Sequence, residues 1–296
     1  MSLERRSWLF VPGDDERKIA KAQSAGADAV VLDLEDAVTT ARRPVARAIV
    51  GDITSQTPPG VGELWVRINP LDTPDALADL AAVVRPHLAG VVLPKIRRAS
   101  DVTTLDDFLS ALEVGEGMAR GSVGIMVVAT ETPEMMFRLG DLAESSQRLQ
   151  ACTWGAEDLS TAVGASTNKA ADGDWDDPYR LARSLCLLAA VAAAVQPVDT
   201  VFTELADDAG LAAATRLAGK QGFTGKVAIH PRQVPIINEH FTPSAIEVAD
   251  AEAVVAAFAA RADAGTVAHE GRMLDRPHLV QAERLLARAG AAERRP

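Results

Sequence analysis

The chain has 296 residues, of which 48% are hydrophobic and 24% are charged, so it can bury a large core. Its formal net charge is −11 at pH 7, and this acidic excess argues against nucleic acids and anionic membranes as partners, because both require a basic surface. An anionic small substrate stays compatible with the charge, since one site can be locally positive or can carry a metal ion.

The chain shows no targeting or membrane-spanning segment. Its first ten residues, MSLERRSWLF, lack the long apolar core and the small-residue cleavage site of a signal peptide. The most apolar stretch, residues 185–195, is shorter than the roughly 20 residues that a transmembrane helix needs. Cys152 and Cys186 match no metal-ligand spacing and stand among apolar neighbours, which indicates buried thiols. We therefore expect a cytoplasmic protein with no membrane partner.

Short apolar runs alternate with longer Ala-rich stretches over the first 230 residues. The eight runs are WLFV (8–11), AVVLDL (29–34), ELWVRI (63–68), GVVLP (90–94), VGIMVVAT (123–130), ACTWG (151–155), DTVFTE (199–204) and KVAIH (226–230). Runs without polar alternation are typical of parallel strands that are covered on both faces. Helical patterns lie between them at residues 15–26, 73–84, 102–114, 131–144, 178–195 and 208–222. This alternation predicts a (β/α)₈ TIM barrel, and an open doubly wound sheet is the alternative.

The pattern changes after residue 231. Residues 241–265 predict a long Ala-rich helix, and residues 266–290 predict a polar turn followed by a last helix. We therefore expect a barrel over residues 1–239 and a C-terminal helical extension over residues 240–296.

Charged side chains follow the predicted strands at their C-terminal ends, where the active site of a barrel lies. In chain order they are Asp33, Glu35, Asp36, Arg67, Lys95, Glu131, Glu157, Asp158 and His230. Carboxylates that converge on one rim repel each other, so some must be protonated or share a cation. All-oxygen ligands favour a hard divalent ion, Mg²⁺ or Mn²⁺. The alternative is that these acids only cap the helices that follow the strands.

Arg67 has two interpretations at this rim. Its guanidinium can hold a carboxylate or a developing enolate oxygen with two hydrogen bonds. It can equally form a structural salt bridge to Asp33 or Glu35.

The lysines and Arg17 are also open to two interpretations. Lys95 can be a Schiff-base nucleophile, but a surface lysine or a phosphate contact is the favoured interpretation. Arg17 and Lys18, just after the first strand, can bind a phosphate or can lie on a solvated helix face.

Eight segments occur in an order that resembles a known family. They are RSWLFVPGDDERKIAKA, VVLDLEDAV, LWVRIN, VVLPK, ATETPE, TWGAEDL, KVAIHP and EGRMLDRP. Together they closely resemble the citrate lyase β-subunit-like group of the HpcH/HpaI aldolase and malyl-CoA lyase superfamily. The resemblance extends from residue 5 to residue 288.

This resemblance implies a Mg²⁺ site and the cleavage or formation of a carbon–carbon bond in an acyl-CoA. The family's metal ligands match Glu131 in ATETPE and Asp158 in WGAEDL, and its substrate-binding arginine matches Arg67 in VRIN. Glu35 and Asp36 match acids that hold this arginine or metal-bound water.

Further residues are expected to contact the substrate. Backbone amides around residues 156–158 (Ala156, Glu157 and Asp158) are expected to bind the substrate carboxylate. Arg17, Lys18 and Lys95 are the expected contacts of the CoA group.

Asp275 matches the aspartate of the family's GxMxD motif. In related lyases this aspartate reaches the active site of a neighbouring subunit, which implies a homo-oligomer, a trimer or a hexamer. Asp275 would protonate the enolate of the acyl-CoA. From the residues alone it would be only an N-cap of the last helix.

The resulting functional hypothesis is a Mg²⁺-dependent lyase that cleaves or forms a 3-hydroxy-3-carboxyacyl-CoA, such as citramalyl-, malyl- or citryl-CoA, with a 2-oxo acid and an acyl-CoA as the products of cleavage. One alternative is a metal-dependent aldolase that acts on free 2-oxo acids, and another is a non-catalytic citrate-lyase-like subunit. Pro133 departs from the small residue that many relatives carry there, and this indicates a variant pocket.

Overall fold

The predicted strands close into a parallel barrel. The computed structural model describes residues 4–56, 62–171, 173–261, 265–269 and 271–293. Its barrel strands are β1 (Ser7–Pro12), β2 (Ala29–Asp33), β3 (Glu63–Arg67), β4 (Gly90–Leu93), β5 (Gly124–Val128), β6 (Leu149–Thr153), β7 (Gln196–Asp199) and β8 (Gly225–Ala228). Each strand pairs with the next along the chain, and β8 pairs in parallel with β1. This closure confirms the (β/α)₈ barrel and excludes the open doubly wound sheet.

Apolar side chains that alternate along the strands fill the interior of the barrel. Trp8 and Trp65 belong to this buried cluster, and their rings meet edge to face with centroids 4.9 Å apart. The guanidinium of Arg5, just before β1, lies over both rings. Cys152 and Cys186 are buried free thiols, as predicted. The interior is a packed core rather than a channel, so charged residues gather at its mouth.

Helices follow the strands in alternation. They are α1 (Glu16–Gln23), α2 (Arg43–Ser55), α3 (Asp75–Val83), α4 (Ala99–Gly115), α5 (Pro133–Met136), α6 (Ala156–Val163), α7 (Asp177–Ala192), α8 (Asp208–Gln221) and α9 (Gln233–Phe241). Side-chain caps explain several starts: Asp15 accepts hydrogen bonds from two amides of α1, and Asp207 accepts one from α8. Within the described residues, no helix has the length and apolar character needed to cross a membrane.

Two local predictions were wrong. The seventh strand lies at Gln196–Asp199 rather than at 199–204, because Pro197, which removes a backbone donor, is accommodated inside the strand. The helix predicted over 131–144 is broken into α5 and a 3₁₀ helix at Leu139–Glu144. Thr132 is extended because it precedes Pro133, so no helix can begin before that proline.

Among the described residues, those from 239 onward form a second compact unit together with Glu4, and those between Arg5 and Asn238 form the barrel unit. The second unit contains α10 (Ala245–Ala259) and α11 (Arg276–Glu293), as the helical prediction required. Between them an antiparallel hairpin, β9 (Thr266–His269) and β10 (Arg272–Asp275), replaces the predicted polar turn. Gly271 permits this turn because its φ is +73°. Phe258, Val267 and Leu274 form a small core within the unit.

A buried ion-pair network ties β7 and β8 to α7. The Asp199 carboxylate lies 2.8 Å from Lys226 Nζ and accepts hydrogen bonds from Arg183 Nε at 3.0 Å and from Trp154 Nε1 at 2.8 Å. The side chains of Asp199 and Lys226 are 5% and 3% exposed. Burial by itself would raise the pKa of Asp199, but the two cations outweigh it and lower the pKa from 3.8 to about 2.

We predict that Asp199→Asn lowers the free energy of unfolding by about 3–5 kcal/mol at pH 7, because Lys226 is left buried without its countercharge. Asp208→Asn is the control, since Asp208 pairs with Arg232 at an exposed site, and it should cost less than about 1 kcal/mol. Urea denaturation monitored by circular dichroism measures both values.

The same network predicts an acid dependence. A carboxylate whose pKa is depressed on folding stabilises the protein above its unfolded pKa, about 3.9, and the contribution is lost as the pH falls through the folded value. The stability difference between wild type and Asp199→Asn should therefore shrink between pH 4 and pH 2. A difference that stays constant over this range would contradict the assignment.

Candidate active site

Seven of the predicted rim side chains meet at the C-terminal mouth of the barrel. They are Asp33, Glu35, Asp36, Arg67, Lys95, Glu131 and Asp158. They come from the ends of β2, β3, β4 and β5 and from α6, which follows β6. Parallel strands bring these ends to one rim, so residues far apart in the chain become neighbours.

Arg67 and Asp33 form a two-pronged ion pair at the centre of this mouth. Arg67 Nε and one terminal nitrogen donate to the two Asp33 oxygens at 2.7 and 2.6 Å. The same oxygens accept hydrogen bonds from the amides of Glu35 and Ala37. Asp33 is thus fully engaged and holds Arg67 in one orientation.

The remaining edge of Arg67 faces Glu35. Arg67 Nη1 lies 2.9 Å from Glu35 Oε2, but this oxygen makes no aligned hydrogen bond although it is buried. The predicted salt bridges of Arg67 to Asp33 and Glu35 are therefore both present. The pKa of Arg67 is raised because the charges of Asp33 and Glu35 outweigh the effect of burial, so the guanidinium stays charged.

Lys95 lies inside the acidic cluster. Its Nζ contacts Glu35 Oε1, lies 2.9 Å from Asp36 Oδ2 and lies 3.3 Å from Asp158 Oδ1. These acids outweigh the effect of burial and raise the pKa of Lys95, so its amine is protonated and cannot act as a Schiff-base nucleophile. The ammonium is engaged by acids, which does not match the predicted contact with a CoA phosphate.

The acids respond differently to this environment. Burial raises the pKa of Glu35 in spite of Arg67 and Lys95 beside it. Burial also acts to raise the pKa of Asp36, but the hydrogen bond and charge of Lys95 outweigh it and the pKa is lowered. Lys95 therefore favours the ionised form of Asp36. The ionised form of Glu35 is disfavoured, because this side chain is almost completely buried.

Glu131 is a buried acid of the mouth, and it differs from the other four acids there because no cationic side chain within the described ranges is bonded to it. Its pKa is raised well above the usual value, first by burial and then by the charge of Asp158. The main-chain amide of Lys95 donates to Glu131 Oε2 at 2.6 Å and offsets this only in part. The charge of Asp158 thus acts on the Glu131 carboxylate and disfavours its ionised form.

Gly155 makes room for Glu131 beside the start of α6. A Cβ at residue 155 would lie 2.8 Å from Glu131 Cγ, so a larger residue would displace the carboxylate. Gly155 is also the N-cap of α6 and supplies no side-chain acceptor to its first turn. The amides of Ala156, Glu157 and Asp158 lie in this turn, where the helix dipole favours an anion. The Glu157 side chain itself is exposed.

The donor set fits a Mg²⁺ ion. Within the described residues, no group of three or more Asp, Glu, His or Cys side chains forms a metal cage. Mg²⁺ needs only one or two carboxylates, however, because waters and substrate oxygens fill its other positions. Glu131 and Asp158 would provide two such carboxylates. Among the seven side chains above, five carboxylates face two cations, so a divalent cation would offset two of the three negative charges that remain.

Arg17 and Lys18 lie in the first turn of α1, which follows β1 at the same end of the barrel. They line a hollow together with Arg42, Asp14 and Asp15. Lys18 Nζ lies 3.6 Å from Asp15 and is largely exposed, so it can turn toward a ligand. The hollow carries both signs of charge.

Two other predicted residues lie apart from the acidic cluster. His230 follows β8, and its Nδ1 accepts a hydrogen bond from the amide of Arg232. Asp275 ends β10 in the C-terminal unit, where it is half-exposed and its Oδ1 lies 2.5 Å from His278 Nδ1. Its predicted contact is with another subunit, and this role stays a prediction.

Sequence reasoning identified the partners of these charged side chains only in part. It offered Asp33 and Glu35 as alternative salt-bridge partners of Arg67, and Asp33 proves to be the main one. It also favoured a surface or phosphate role for Lys95 and did not predict α6, whose eight residues are too short for a strong periodic pattern. Arg67 and Lys95 each lie at or directly after the end of a strand, which places them at the mouth. This position does not indicate which acids they bind.

Family models match nearly the whole chain. The model described as HpcH/HpaI aldolase/citrate lyase matches residues 6–231. The model described as C–C bond lyase of the TIM-barrel fold matches residues 180–292.

Individual relatives align over almost their full lengths. Citrate lyase subunit beta of Leuconostoc mesenteroides subsp. cremoris is 34% identical, and the alignment covers 97% of this chain and 94% of the relative. L-malyl-CoA/beta-methylmalyl-CoA lyase of Rhodobacter capsulatus is 32% identical, with 97% and 95% covered. The crystal structure of protein CitE from Mycobacterium tuberculosis in complex with magnesium, acetoacetate and coenzyme A matches with a TM-score of 0.80 and 36% identity. That match covers 98% of this chain and 99% of the other.

We predict that Asp33→Asn lowers the free energy of unfolding by about 3 kcal/mol, because an amide removes the main countercharge of the Arg67 guanidinium and leaves only Glu35. The matched control is Asp36→Asn three residues later, whose side chain is 53% exposed and which should cost less than about 1 kcal/mol. Urea denaturation in metal-free buffer measures both, and equal costs would show that the Arg67–Asp33 pair does not anchor the mouth.

Proposed function

The chain belongs to the HpcH/HpaI aldolase/citrate lyase family, and we propose that it is a Mg²⁺-dependent carbon–carbon lyase acting on a 3-hydroxy-3-carboxyacyl-CoA such as citramalyl-, malyl- or citryl-CoA. Cleavage yields a 2-oxo acid and an acyl-CoA. The observation that carries this proposal is the buried Glu131 carboxylate beside Asp158, with no cationic side chain bonded to it among the residues the structure describes. A relative of known structure holds magnesium and coenzyme A together, which supports the same pairing here.

Glu131 and Asp158 would hold the Mg²⁺ ion. When bound, the ion supplies Lewis acidity and orients the hydroxyl and carboxylate oxygens of the substrate. The first-turn amides of α6, at residues 156–158, bind the substrate carboxylate at the positive end of the helix. Together these two groups would hold the acid end of the substrate in the mouth, where Arg67 also lies.

Arg67 stabilises the negative charge that develops on the thioester oxygen when the bond breaks. Its Nε edge is fixed by Asp33, so the guanidinium does not need to reorganise during the reaction. Glu35 holds the remaining edge of Arg67, and its Oε2, which accepts no hydrogen bond from the described residues, would be available to a water of the metal site. Asp36 supports the cluster through Lys95.

Asp275 is the proposed proton donor to the thioester enolate. In the reverse direction it removes a proton from the acyl-CoA methyl group. Its half-exposed carboxylate is accessible, and we propose that it acts in the barrel mouth of a neighbouring subunit. The functional unit is then a homo-oligomer, a trimer or a hexamer.

Arg17 and Lys18 are the proposed contacts for the phosphate groups of CoA. They begin α1 at the same end of the barrel as the acidic mouth. L-malyl-CoA/beta-methylmalyl-CoA lyase, one of the relatives, is named for CoA substrates, which supports a CoA contact in this chain.

We predict that Glu131→Gln loses Mg²⁺ binding and lyase turnover by roughly a hundredfold or more, since even second-sphere changes at metal sites cost about 10–100-fold. The metal-free variant should be at least as stable as the wild type, because a buried carboxylate next to Asp158 is unfavourable. Glu134→Gln, at an exposed position three residues later, is the control and should retain both properties.

The assay offers malyl-, citramalyl- and citryl-CoA with and without Mg²⁺ and measures the 2-oxo acid as its phenylhydrazone. Turnover of a free 4-hydroxy-2-oxo acid with no turnover of any thioester would instead identify the CoA-independent aldolase. Mg²⁺ binding with no turnover of either class would identify a non-catalytic subunit.

We predict that Asp275→Asn retains Mg²⁺ binding but slows deuterium exchange into acetyl-CoA by about 10²–10⁴-fold, the usual loss when a general acid–base is removed. Mixing this variant with Glu131→Gln subunits under conditions that allow subunit exchange should restore activity, because some sites then combine an intact Glu131 with an intact Asp275 from another chain. Normal exchange in Asp275→Asn, or no recovery in the mixture, would remove this residue from the proposed shared site.

A further inference from the structure

We propose that Lys95 is a positioning residue whose ammonium offsets part of the negative charge of Glu35, Asp36 and Asp158 in the metal-free enzyme and competes with the divalent cation for Asp158. Lys95 thus acts as an internal counter-ion of the acidic mouth. The inference rests on the proposed function, because it takes Asp158 as a metal ligand.

The contacts of Lys95 differ in a way that predicts which one a metal ion would weaken. Glu35 is 2% exposed and its contact with Nζ is the shortest of the three. Asp36 lies 2.9 Å away, whereas Asp158 is the most distant partner at 3.3 Å and is about one third exposed. The contact with Asp158 is therefore the weakest, and a cation on that carboxylate would be repelled by the ammonium at close range.

The backbone of Lys95 has a conformation that is costly for any residue with a Cβ. Its φ is +52°, in the left-handed region that favours glycine, and within the described residues only Ala194 shares this feature among residues other than glycine. Such a conformation costs about 1–3 kcal/mol in a residue with a Cβ. A glycine would avoid this strain, so a lysine at this position indicates that the ion pairs of the ammonium offset it.

Lys95 also holds Glu131, the other proposed metal ligand. The main-chain amide of Lys95 donates to Glu131 Oε2 at 2.6 Å. The left-handed turn therefore lets one residue direct its amide toward Glu131 and its ammonium toward Asp158. Movement of the ammonium on metal binding leaves the amide in place, so Glu131 stays positioned.

Two substitutions separate these contributions. Lys95→Met removes the charge and keeps the length of the side chain. Lys95→Gly removes the side chain, relieves the φ strain and keeps the amide that holds Glu131. Lys226→Met is the control, because Lys226 is also a buried lysine bound to an aspartate, but it belongs to the Asp199 network away from the mouth.

The measurements use full-length protein freed of metal with a chelator. Mg²⁺ affinity is measured by calorimetry, and Mn²⁺ affinity by electron paramagnetic resonance, both without substrate. Unfolding midpoints are recorded with and without Mg²⁺. None of these readouts depends on catalytic activity.

We expect Lys95→Met and Lys95→Gly to bind Mg²⁺ at least tenfold more tightly than the wild type, about 1.4 kcal/mol, because the competing charge is gone. Metal-free Lys95→Met should unfold at a lower temperature, and Mg²⁺ should raise its midpoint by more than it raises that of the wild type. Lys226→Met should also unfold earlier but should show wild-type Mg²⁺ affinity and a wild-type midpoint increase.

Mg²⁺ affinity in both Lys95 variants that equals or falls below the wild-type value would overturn the inference while leaving the proposed function intact. Metal binding in the variants but not in the wild type would support the inference and reject the Mg²⁺-dependent function, since the ammonium would then occupy the metal's place. Absence of binding in every protein would reject both.

Discussion

The surplus of carboxylates at the mouth of the barrel is the constraint on which the rest of the site depends. Asp33, Glu35, Asp36, Glu131 and Asp158 come together above an apolar core that cannot screen their charges. Buried charges are tolerated only when they are paired. Arg67 satisfies Asp33 and one side of Glu35, and Lys95 satisfies the other side of Glu35 together with Asp36. Glu131 is left with one amide as its hydrogen-bond donor, and a divalent cation would offset the negative charge that remains.

The barrel holds these charged side chains in place because most of them lie at or directly after the end of a strand. Arg67 ends β3 and Asp33 ends β2, and the two residues are paired in register across adjacent strands. Their ion pair is therefore set by the sheet and not by a loop. Below the mouth, Trp8, Trp65 and their neighbours form a packed interior that excludes water. Burial of this core stabilises the fold and offsets the cost of the acidic site. Arg67, fixed by Asp33 above it, therefore keeps one orientation, as the proposed charge stabilisation requires.

Membership of the HpcH/HpaI aldolase/citrate lyase family and the geometry of the mouth point in the same direction. The family relation supports a carbon–carbon lyase, and the local arrangement supports the residues through which we propose that it acts. Lys95 links the proposed metal ligands to the acids around Arg67. This single residue, with its strained backbone, contacts both groups. The C-terminal unit carries Asp275 on a hairpin with a small core of its own, which presents that carboxylate on a folded element rather than on a loose tail.

The sequence by itself determined the barrel, the positions of the rim acids and the family. Eight apolar runs without polar alternation require cover on both faces, and a charge that directly follows such a run must lie at the strand end. The segments ATETPE and WGAEDL identified Glu131 and Asp158 through their resemblance to the family. The sequence placed the seventh strand three residues too late, because Pro197 reads as a strand breaker in isolation but is accommodated once its neighbours are in place.

Only the tertiary structure decided which charges pair. Lys95 follows a strand in the sequence just as a solvent-exposed lysine would, and its partner Glu35 lies 60 residues away in the chain. Arg67 could have bound substrate alone, but closure of the barrel brings Asp33 within 2.7 Å of it. The physical reason is that pairing energy depends on distance and burial, which local sequence patterns do not contain and which exist only after the strands have closed.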